Sequence, residues 1–341
     1  MKKYLLLLIS SLLLMINASA KIWRINNSGV PADFTSLQAA INSASVVNGD
    51  TVHLEASGAS YGSMTLNKQL IIIGNGYLLG TLGSNANPDL QANPATSLLT
   101  GSVIFNTGSS GSVLEGVTVA NTLLVTGGVS NIMIRRNRLN LVTLGLCNNV
   151  QVLQNYIDLS SGALINWDGN PATNLQINNN VMAFTISMGS TCNGDFMNNI
   201  MSAVYTFGVS QLTNFRVWNN INVLSSTINL TSCDSRNNIS NSTQFGTLNG
   251  NQQNVAMSTV FEDHLNTNPA FSEDSRWQLK SGSPAIGAAT PSGDCGVFGT
   301  ATGSPYTLSG IPNVPSIYKL TAPATVTTNI LNITISTKTN N

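Results

Sequence analysis

One pattern of apolar and polar positions recurs along the chain at an interval of roughly 20 residues, and each copy is centred on an asparagine. When that asparagine is counted as position 0, positions −5, −3 and +2 are apolar in the clearest copies, NIMIRRNRL and VQVLQNYI. Apolar residues two positions apart predict a strand with one buried face, and a nearly constant period of this length predicts stacked coils. The sequence therefore predicts an all-β fold, a parallel β-helix or solenoid. The central asparagines are Asn137, Asn155, Asn180, Asn199, Asn220 and Asn238.

A second column of asparagines stands at position −1 in the later coils. Asparagine tolerates left-handed backbone angles, and its amide carries both a donor and acceptors. Amides stacked in register can bond to one another, as in an asparagine ladder. We therefore predict a structural ladder at one bend and give these asparagines no catalytic role. The second column contains Asn179, Asn198, Asn219 and Asn237.

The two ends of the repeat have different patterns. Residues 34–44 (FTSLQAAINSA) are apolar at positions 34, 37, 40, 41 and 44, which is helical spacing, with Asp33 as the predicted N-cap. We expect this helix to cap the first coil, because an open end would expose core side chains and unpaired backbone groups. At the other end, residues 331–336 alternate between apolar and polar and predict a strand.

Residues 1–20 have the pattern of a secretory signal peptide. Lys2 and Lys3 precede an apolar run over residues 5–16, and Ala18, Ser19 and Ala20 form a small-residue cleavage site. Lys21 is then the first mature residue, and we expect a secreted protein that is extracellular, on the cell surface or periplasmic. No later apolar stretch is long enough to predict a transmembrane segment. The predicted organisation is 1–20 signal peptide, 21–254 β-helix with N-terminal cap, 255–310 C-terminal closing segment, and 311–341 tail with a β-strand.

The charge and the cysteine content of the chain limit which binding partners, disulfides and metal sites can be expected. Without residues 1–20 the chain has 12 basic and 14 acidic residues, a net charge of −2, which argues against a nucleic-acid partner. A secreted protein can form disulfides, but the spacing of its four cysteines favours small apolar residues at bends and leaves any pairing open. No CxxC or Cys/His spacing indicates zinc, so we predict no metal site. The cysteines are Cys147, Cys192, Cys233 and Cys295.

Several segments resemble a known superfamily. The helix FTSLQAAINSA, the strands GDTVHL and KQLIIIGNG, the coils centred on NN and the segment SGSPAIGAATPSGDCGVFG are similar to secreted proteins of the pectate-lyase-like superfamily, in the version common in Bacteroidetes. The resemblance covers about residues 22–310. It implies a single-stranded right-handed parallel β-helix with an N-terminal capping helix and an irregular C-terminal segment. It leaves function open, because this fold carries lyases, hydrolases, epimerases and adhesins.

The strongest candidate site is a group of outward-facing side chains in three successive coils. Position −4 carries Asp195, Arg216 and Asp234, and position −2 adds Trp218 and Arg236. A polar surface with one aromatic ring suits a sugar. The alternative interpretation is a surface charge ladder, in which each pair contributes about 0.2–1 kcal/mol.

The longest coil, between Asn155 and Asn180, contains a second candidate. Its loop carries Trp167, which could stack on a sugar, and Asp168, which could bind a hydroxyl. The alternative is a tryptophan that packs on its own loop. We also expect Arg136 to pair structurally with Asp158 in the next coil.

These observations predict a secreted or cell-surface β-helix module that is polysaccharide-binding or structural, without an evident catalytic constellation. The alternative is a carbohydrate-active enzyme, with a polysaccharide lyase as the preferred form. The resemblance implies an arginine or lysine base and a carboxylate cluster for such a lyase, so Ca²⁺ is expected only under that alternative, and otherwise no cofactor. The identity of the ligand and the oligomeric state are left open.

Overall fold

The computed structural model describes residues 20–79, 87, 93–158, 165–183, 186–202, 210–223, 225, 227–323, 325 and 330–339. The chain is a parallel β-solenoid of about eight turns with few helices. The apolar run and the charged start of the predicted signal peptide lie outside the described residues.

The described residues form 28 strands, one α-helix and three short 3-10 helices. Helix α1 spans Leu37–Asn42, and the 3-10 helices span Met257–Thr259, Ser275–Trp277 and Leu308–Gly310. The strands of the first half are β1 (Ile22–Ile25), β2 (Thr51–Leu54), β3 (Met64–Leu66), β4 (Ile71–Ile73), β5 (Leu98–Leu99), β6 (Val103–Phe105), β7 (Val113–Glu115), β8 (Thr118–Val125), β9 (Val129–Ser130), β10 (Met133–Arg135), β11 (Arg138–Leu144), β12 (Cys147–Asn148), β13 (Gln151–Leu153) and β14 (Tyr156–Ile157). Those of the second half are β15 (Ile165–Trp167), β16 (Ala172–Asn178), β17 (Val181–Met182), β18 (Ile186–Ser187), β19 (Cys192–Met197), β20 (Ile200–Met201), β21 (Ser210–Thr213), β22 (Phe215–Trp218), β23 (Ile221–Asn222), β24 (Ile228–Thr231), β25 (Asp234–Arg236), β26 (Ile239–Ser240), β27 (Ser316–Thr321) and β28 (Thr334–Lys338).

Two long parallel sheets form the walls of the solenoid. The first follows the order β1-β2-β4-β7-β10-β13-β16-β19-β22-β25, with β9 and β12 beside it. The second follows β24-β21-β18-β15-β11-β14-β17-β20-β23-β26, and β8 joins β3, β5 and β6 to it. Strands that lie one coil apart in sequence are therefore neighbours in space, as the period predicted.

The predicted apolar frame points into the solenoid. The residues at position −3 pair in register from coil to coil across β10, β13, β16, β19 and β22. All five have no exposed surface, so they form one continuous inward stack, and the structure confirms the repeat. They are Ile134, Val152, Ile177, Phe196 and Val217.

The asparagine ladder is present at the bend that follows this frame. From Asn155 onward, each position 0 side chain accepts hydrogen bonds from the backbone N–H and the side-chain amide of the asparagine one coil earlier. For Asn180, the donors are the backbone nitrogen of Asn155 at 2.9 Å and its Nδ2 at 3.0 Å. The ladder begins at the backbone of Val117 and extends one step beyond the predicted copies, to Asn251. These amides are buried, and each ladder Nδ2 from Asn137 to Asn238 also donates to a backbone carbonyl of an earlier coil.

The left-handed backbone lies one residue earlier than the ladder. At position −1, the φ angles of Asn179, Asn198, Asn219 and Asn237 are 55°, 53°, 59° and 50°. The position 0 asparagines do not have positive φ angles. The two columns therefore have separate tasks, since position −1 makes the turn and position 0 joins the coils.

Helix α1 is shorter than the spacing predicted. It begins after Ser36, whose hydroxyl accepts a hydrogen bond from the backbone nitrogen of Ala39. Asp33 is not the N-cap, because its carboxylate accepts the backbone N–H of Arg24 in β1 instead. Leu37 and Ile41 are fully buried, as their spacing predicted.

Residues 288–313 run back along the corner of the solenoid, from the last coils toward the first. Asn219 at position −1 binds this segment with both ends of its amide, through the backbone N–H and C=O of Thr290, each at 2.9 Å. Asn198 donates to Gly296, and further along Arg136 donates to Ile311. The position −1 side chains thus fasten the C-terminal segment to successive coils.

The C-terminal segment covers a second hydrophobic core. Position +1 is apolar in five coils and faces outward from the second sheet, where it packs with residues such as Trp277 and Val297. The apolar frame at positions −5, −3 and +2 does not predict this core. The five residues are Tyr156, Val181, Ile200, Ile221 and Ile239.

The tail and the cysteines complete the fold. Strands β27 and β28 form an antiparallel hairpin, so the predicted tail strand is present but begins at Thr334. All four cysteines are free thiols, and Cys147, Cys192 and Cys295 are buried. Burial raises the pKa of the Cys147 and Cys295 thiols to about 12, and the thiols of Cys233 and Cys295 donate to the carbonyls of Leu212 and Asn237.

Candidate functional site

The five outward-facing candidates lie together on the first sheet. Strands β19, β22 and β25 place Asp195, Arg216 and Asp234 in register, and Trp218 stands beside Arg236. We call this surface the Trp218 face. Because parallel strands in register repeat about every 4.8 Å, the side chains form two adjacent outward columns.

The charges on the Trp218 face are organised as two separate ion pairs. Arg216 binds Asp195 through Nε and Nη2, each at 2.5 Å, in a bidentate arrangement. Arg236 Nε binds Asp234 Oδ1 at 2.8 Å. Arg216 is therefore not a cation shared by both carboxylates, because Asp234 has its own arginine.

Trp218 joins the two ion pairs. Its indole Nε1 donates to Asp234 Oδ2 at 3.2 Å. The guanidinium carbons of Arg216 and Arg236 lie 5.3 and 5.5 Å from the centre of the ring, within the range of cation–π contacts. The Trp218 face is thus one connected group of five side chains.

The electrostatics of the Trp218 face favour binding over acid–base catalysis. Hydrogen bonds to Asp195 raise the pKa of Arg216 above its ordinary value. The side chains of Arg216 and Arg236 are 53% and 51% exposed, so much of their hydrogen-bonding surface is open to a ligand. Within these five residues, each carboxylate is already paired with an arginine, which leaves neither a free acid nor a free base.

Trp167 and Asp168 occupy a different sheet from the Trp218 face. Trp167 ends β15 in the second sheet, and its indole N–H donates to the carbonyl of Asn170 in its own turn. A methyl group on Gly189 would clash with this ring, so the indole packs directly on the neighbouring coil. The carboxylate of Asp168 accepts the backbone N–H of Asn170 at 3.0 Å. These contacts hold Trp167 against both its own turn and the neighbouring coil, and a ligand-binding role for the two residues stays a prediction.

Asp158 pairs with Arg138, so the predicted pair with Arg136 is wrong. Its carboxylate binds Arg138, with Nη2 at 2.6 Å from Oδ2, and the same nitrogen lies 2.7 Å from Glu273. Arg136 instead sits at the left-handed corner and contacts Gln154 and Glu115. Since Arg138 lies at position +1, on the second sheet with Asp158, the offset from the ladder asparagine is the signal that could have found this pair.

Burial dominates the chemistry of the Asp158–Arg138–Glu273 group. It raises the pKa of Asp158 and of Glu273 above their ordinary values, despite the nearby guanidinium. The two carboxylate oxygens lie 2.6 and 2.7 Å from one nitrogen of Arg138, so they cannot be farther apart than the sum of these distances. A close pair of carboxyl groups with raised pKa values is a recognised candidate for acid–base work.

A cleft of about 750 Å³ lies between the second sheet and the C-terminal segment. Its sheet side carries Ser202, Val223 and Asn241, which occupy position +3, the same column as Asp158. Its other side includes His264 and Arg276. Burial lowers the pKa of His264, so its imidazole is neutral at neutral pH.

The Trp218 face does not fit the Ca²⁺ expected for a lyase. Ca²⁺ requires six to eight oxygen ligands at one point, whereas Asp195 and Asp234 are each engaged by an arginine. Across the described ranges, no three His, Cys, Asp or Glu side chains gather closely enough to hold a metal ion.

Comparisons with protein-family models, with curated proteins and with solved structures found no match. The part of the chain that the structure describes contains no helix that is long and apolar enough to cross a membrane.

Proposed function

We propose that the protein is a secreted or cell-surface module that binds polysaccharide through the Trp218 face. The observation that carries this proposal is the half-buried Trp218 ring, held between two half-exposed guanidiniums and hydrogen-bonded to a carboxylate. An aromatic ring suits the C–H face of a sugar, and arginine and aspartate suit its hydroxyls. Because the group stands on a rigid parallel sheet, its geometry is set before a ligand binds.

The same proposal includes secretion of the protein, its superfamily and the handedness of the solenoid. The signal-peptide pattern of residues 1–20 supports secretion. The resemblance of residues 22–310 supports membership of the pectate-lyase-like superfamily, in its Bacteroidetes type. Parallel crossover connections are right-handed in about 98% of cases, which supports a right-handed β-helix.

We also propose that α1 caps the first coil. The amide of Gln38 in α1 accepts the backbone N–H of Thr65 at 2.8 Å and donates to its carbonyl at 3.2 Å. Thr65 is the middle residue of β3, so one side chain takes the place of a neighbouring strand. Such contacts satisfy backbone groups that an open sheet edge would leave unpaired.

The binding proposal is tested by a glycan array with the wild-type protein and single variants. Trp218→Ala should weaken binding to the captured glycan about tenfold or more, because a central aromatic contact is lost. Arg216→Ala should also weaken it, while the melting temperature changes by no more than a few degrees, since exposed ion pairs add about 0.2–1 kcal/mol.

Arg135→Ala is the matched control for these variants. Arg135 occupies the same outward position −2 in an earlier coil and also forms an ion pair, with Glu115 at 2.8 Å. The control should bind glycan as the wild type does. Unchanged binding in the Trp218 and Arg216 variants would leave the face as a charge ladder and remove the proposal.

The Asp158–Arg138–Glu273 group favours a second candidate, a carbohydrate-active enzyme. Retaining glycoside hydrolases use two carboxyl groups about 5–5.5 Å apart. Two carboxylate oxygens that lie 2.6 and 2.7 Å from one arginine nitrogen are compatible with that separation. The assay incubates the protein with the glycans that it binds on the array. It follows both the formation of new reducing ends and the ultraviolet absorbance of a 4,5-unsaturated lyase product. If the wild type forms new reducing ends and the variants Asp158→Asn and Glu273→Gln do not, the result would support hydrolysis. An unsaturated product would support a lyase.

A further inference from the structure

A buried carboxylate lies beside the start of the solenoid. Asp50 lies in the turn before β2 and is only 1% exposed. Its Oδ1 accepts a hydrogen bond from the backbone N–H of Lys21 at 2.8 Å. Its Oδ2 accepts hydrogen bonds from the indole N–H of Trp23 at 2.8 Å and from the backbone N–H of Val47 at 2.9 Å. Three hydrogen bonds therefore converge on one carboxylate.

Asp50 has no cation in contact within the described residues. The ammonium of Lys21 lies over the ring of Trp23, at 3.3 Å from its centre, instead of forming an ion pair with the carboxylate. Although burial alone would raise it, the N–H donors and the charge of the nearby Lys21 ammonium hold the pKa of Asp50 below its ordinary value, so the group is charged at neutral pH. A nearly covered carboxylate with no cation in direct contact is stabilised further when a cation is placed against it.

The donor that faces Oδ1 is the nitrogen that signal-peptide removal would release. Ala20 is exposed, and Lys21 follows it as the predicted first mature residue. Hydrolysis of the Ala20–Lys21 amide by a signal peptidase consumes one water, leaves a carboxylate on Ala20 and leaves the Lys21 nitrogen as an α-ammonium. That nitrogen already lies 2.8 Å from Oδ1 of Asp50.

We propose that cleavage between Ala20 and Lys21 converts this hydrogen bond into a part-buried ion pair, which locks β1 onto the end of the solenoid. The inference goes beyond polysaccharide binding and depends on the predicted leader. Charge-assisted hydrogen bonds are about twice as strong as neutral ones. Strand β1 ends the first sheet and has β2 as its strand partner, so it depends on such a contact more than an inner strand does.

The place of cleavage is tested by mass spectrometry of the protein secreted with its own leader. The expected mature N-terminus is Lys21. A mature chain that begins at any other residue would overturn the proposal, since the α-ammonium would no longer face Asp50.

The ion pair is tested by hydrogen exchange in chains that begin at Lys21 or one residue earlier at Ala20. The amides of β1 should exchange about tenfold more slowly in the Lys21 form. Equal exchange in the two forms would overturn the ion pair, and this comparison needs no substitution that could impair folding.

Two substitutions identify the partner. In Asp50→Asn, the difference in β1 amide exchange between the chain that begins at Lys21 and the chain that begins at Ala20 should vanish. In Asp33→Asn it should persist, because Asp33 also accepts a backbone N–H of β1, that of Arg24 at 2.8 Å, but is not bound to Lys21. A difference that survives in Asp50→Asn would contradict the assignment of Asp50.

Discussion

At the residue scale, two neighbouring asparagines have different roles in each of the later coils, from Asn179 and Asn180 onward. The ladder side chain at position 0 is buried and joins three consecutive coils through hydrogen bonds. The position −1 residue supplies the left-handed turn, and its side chain reaches the C-terminal segment instead. Asparagine suits both places because it tolerates the left-handed region and carries a donor and an acceptor on a short side chain. One residue type thus serves two columns.

Asn180→Ala tests the ladder. The variant loses bonds to the backbone N–H of Asn155 and the carbonyl of Val152, both of which remain buried. We expect a loss of about 2–4 kcal/mol in the free energy of unfolding, measured by urea denaturation followed by circular dichroism. The control Asn148→Ala removes an exposed amide bonded to Thr173 and should cost less than about 1 kcal/mol. Similar losses in both variants would argue against the ladder.

Asn219→Gly tests the position −1 column. Glycine keeps the left-handed backbone angle but removes both hydrogen bonds to Thr290. The amides of residues 288–296 should exchange several-fold faster while the coils stay protected. Asn214→Gly is the control, since Asn214 is also left-handed but its amide bonds to Ser190. Unchanged exchange at 288–296 in the Asn219 variant would show that other contacts hold the segment.

At the scale of elements, the solenoid depends on how its ends and its outer surface are covered. Inner strands have a partner on each side, whereas β3 presents an edge to α1 and β1 has one strand neighbour. The outward residues at position +1 need a separate cover, which residues 255–310 supply. Since the sheets of this solenoid are open stacks whose first and last strands have a neighbour on one side only, each end of the stack benefits from a covering element.

Deletion of residues 34–44 tests the proposed cap. The deletion exposes the edge of β3 and the core side chains that Leu37 and Ile41 cover. We expect self-association, seen as a concentration-dependent mass in light scattering after size-exclusion chromatography. The milder variant Gln38→Ala should lower stability by about 1 kcal/mol without association. A deleted protein that remains monomeric and equally stable would count against the cap.

At the scale of the whole molecule, the chain folds back over itself. The coils are built from the N-terminal end to about residue 254, and the following segment returns along the corner toward the first coils. Contacts such as the one between Arg136 and Ile311 therefore join residues 175 positions apart. The second core forms only when both parts are present, so the closing segment is part of one structure with the solenoid.

Two truncations test the contribution of the closing segment and that of the C-terminal tail separately. A chain of residues 21–254 should aggregate, because the apolar column at position +1 would be exposed. A chain of residues 21–314 keeps every contact of that column and loses only the hairpin, whose Leu320 and Ile335 are 59% and 56% exposed. Its melting temperature should fall by no more than about 3 °C. A soluble, cooperative 21–254 chain would contradict the role given to the closing segment.

The sequence by itself determined the repeat, the inward stack at position −3, the ladder at position 0 and the shared register of Asp195, Arg216 and Asp234. A coil repeats its environment at a nearly fixed interval, so residues at equal offsets from one asparagine must become neighbours in space. Periodicity is local information, and a single sequence is enough to show it.

Only the tertiary structure decided which side chains bind one another and what covers the coils. Register places Arg216 between two carboxylates, but the choice of Asp195 depends on side-chain rotamers and on the competing Arg236. The pairing of Arg138 with Asp158 and Glu273, and the cover over position +1, join parts of the chain with no common period. Such contacts depend on the path of the whole backbone in space, which no local pattern records.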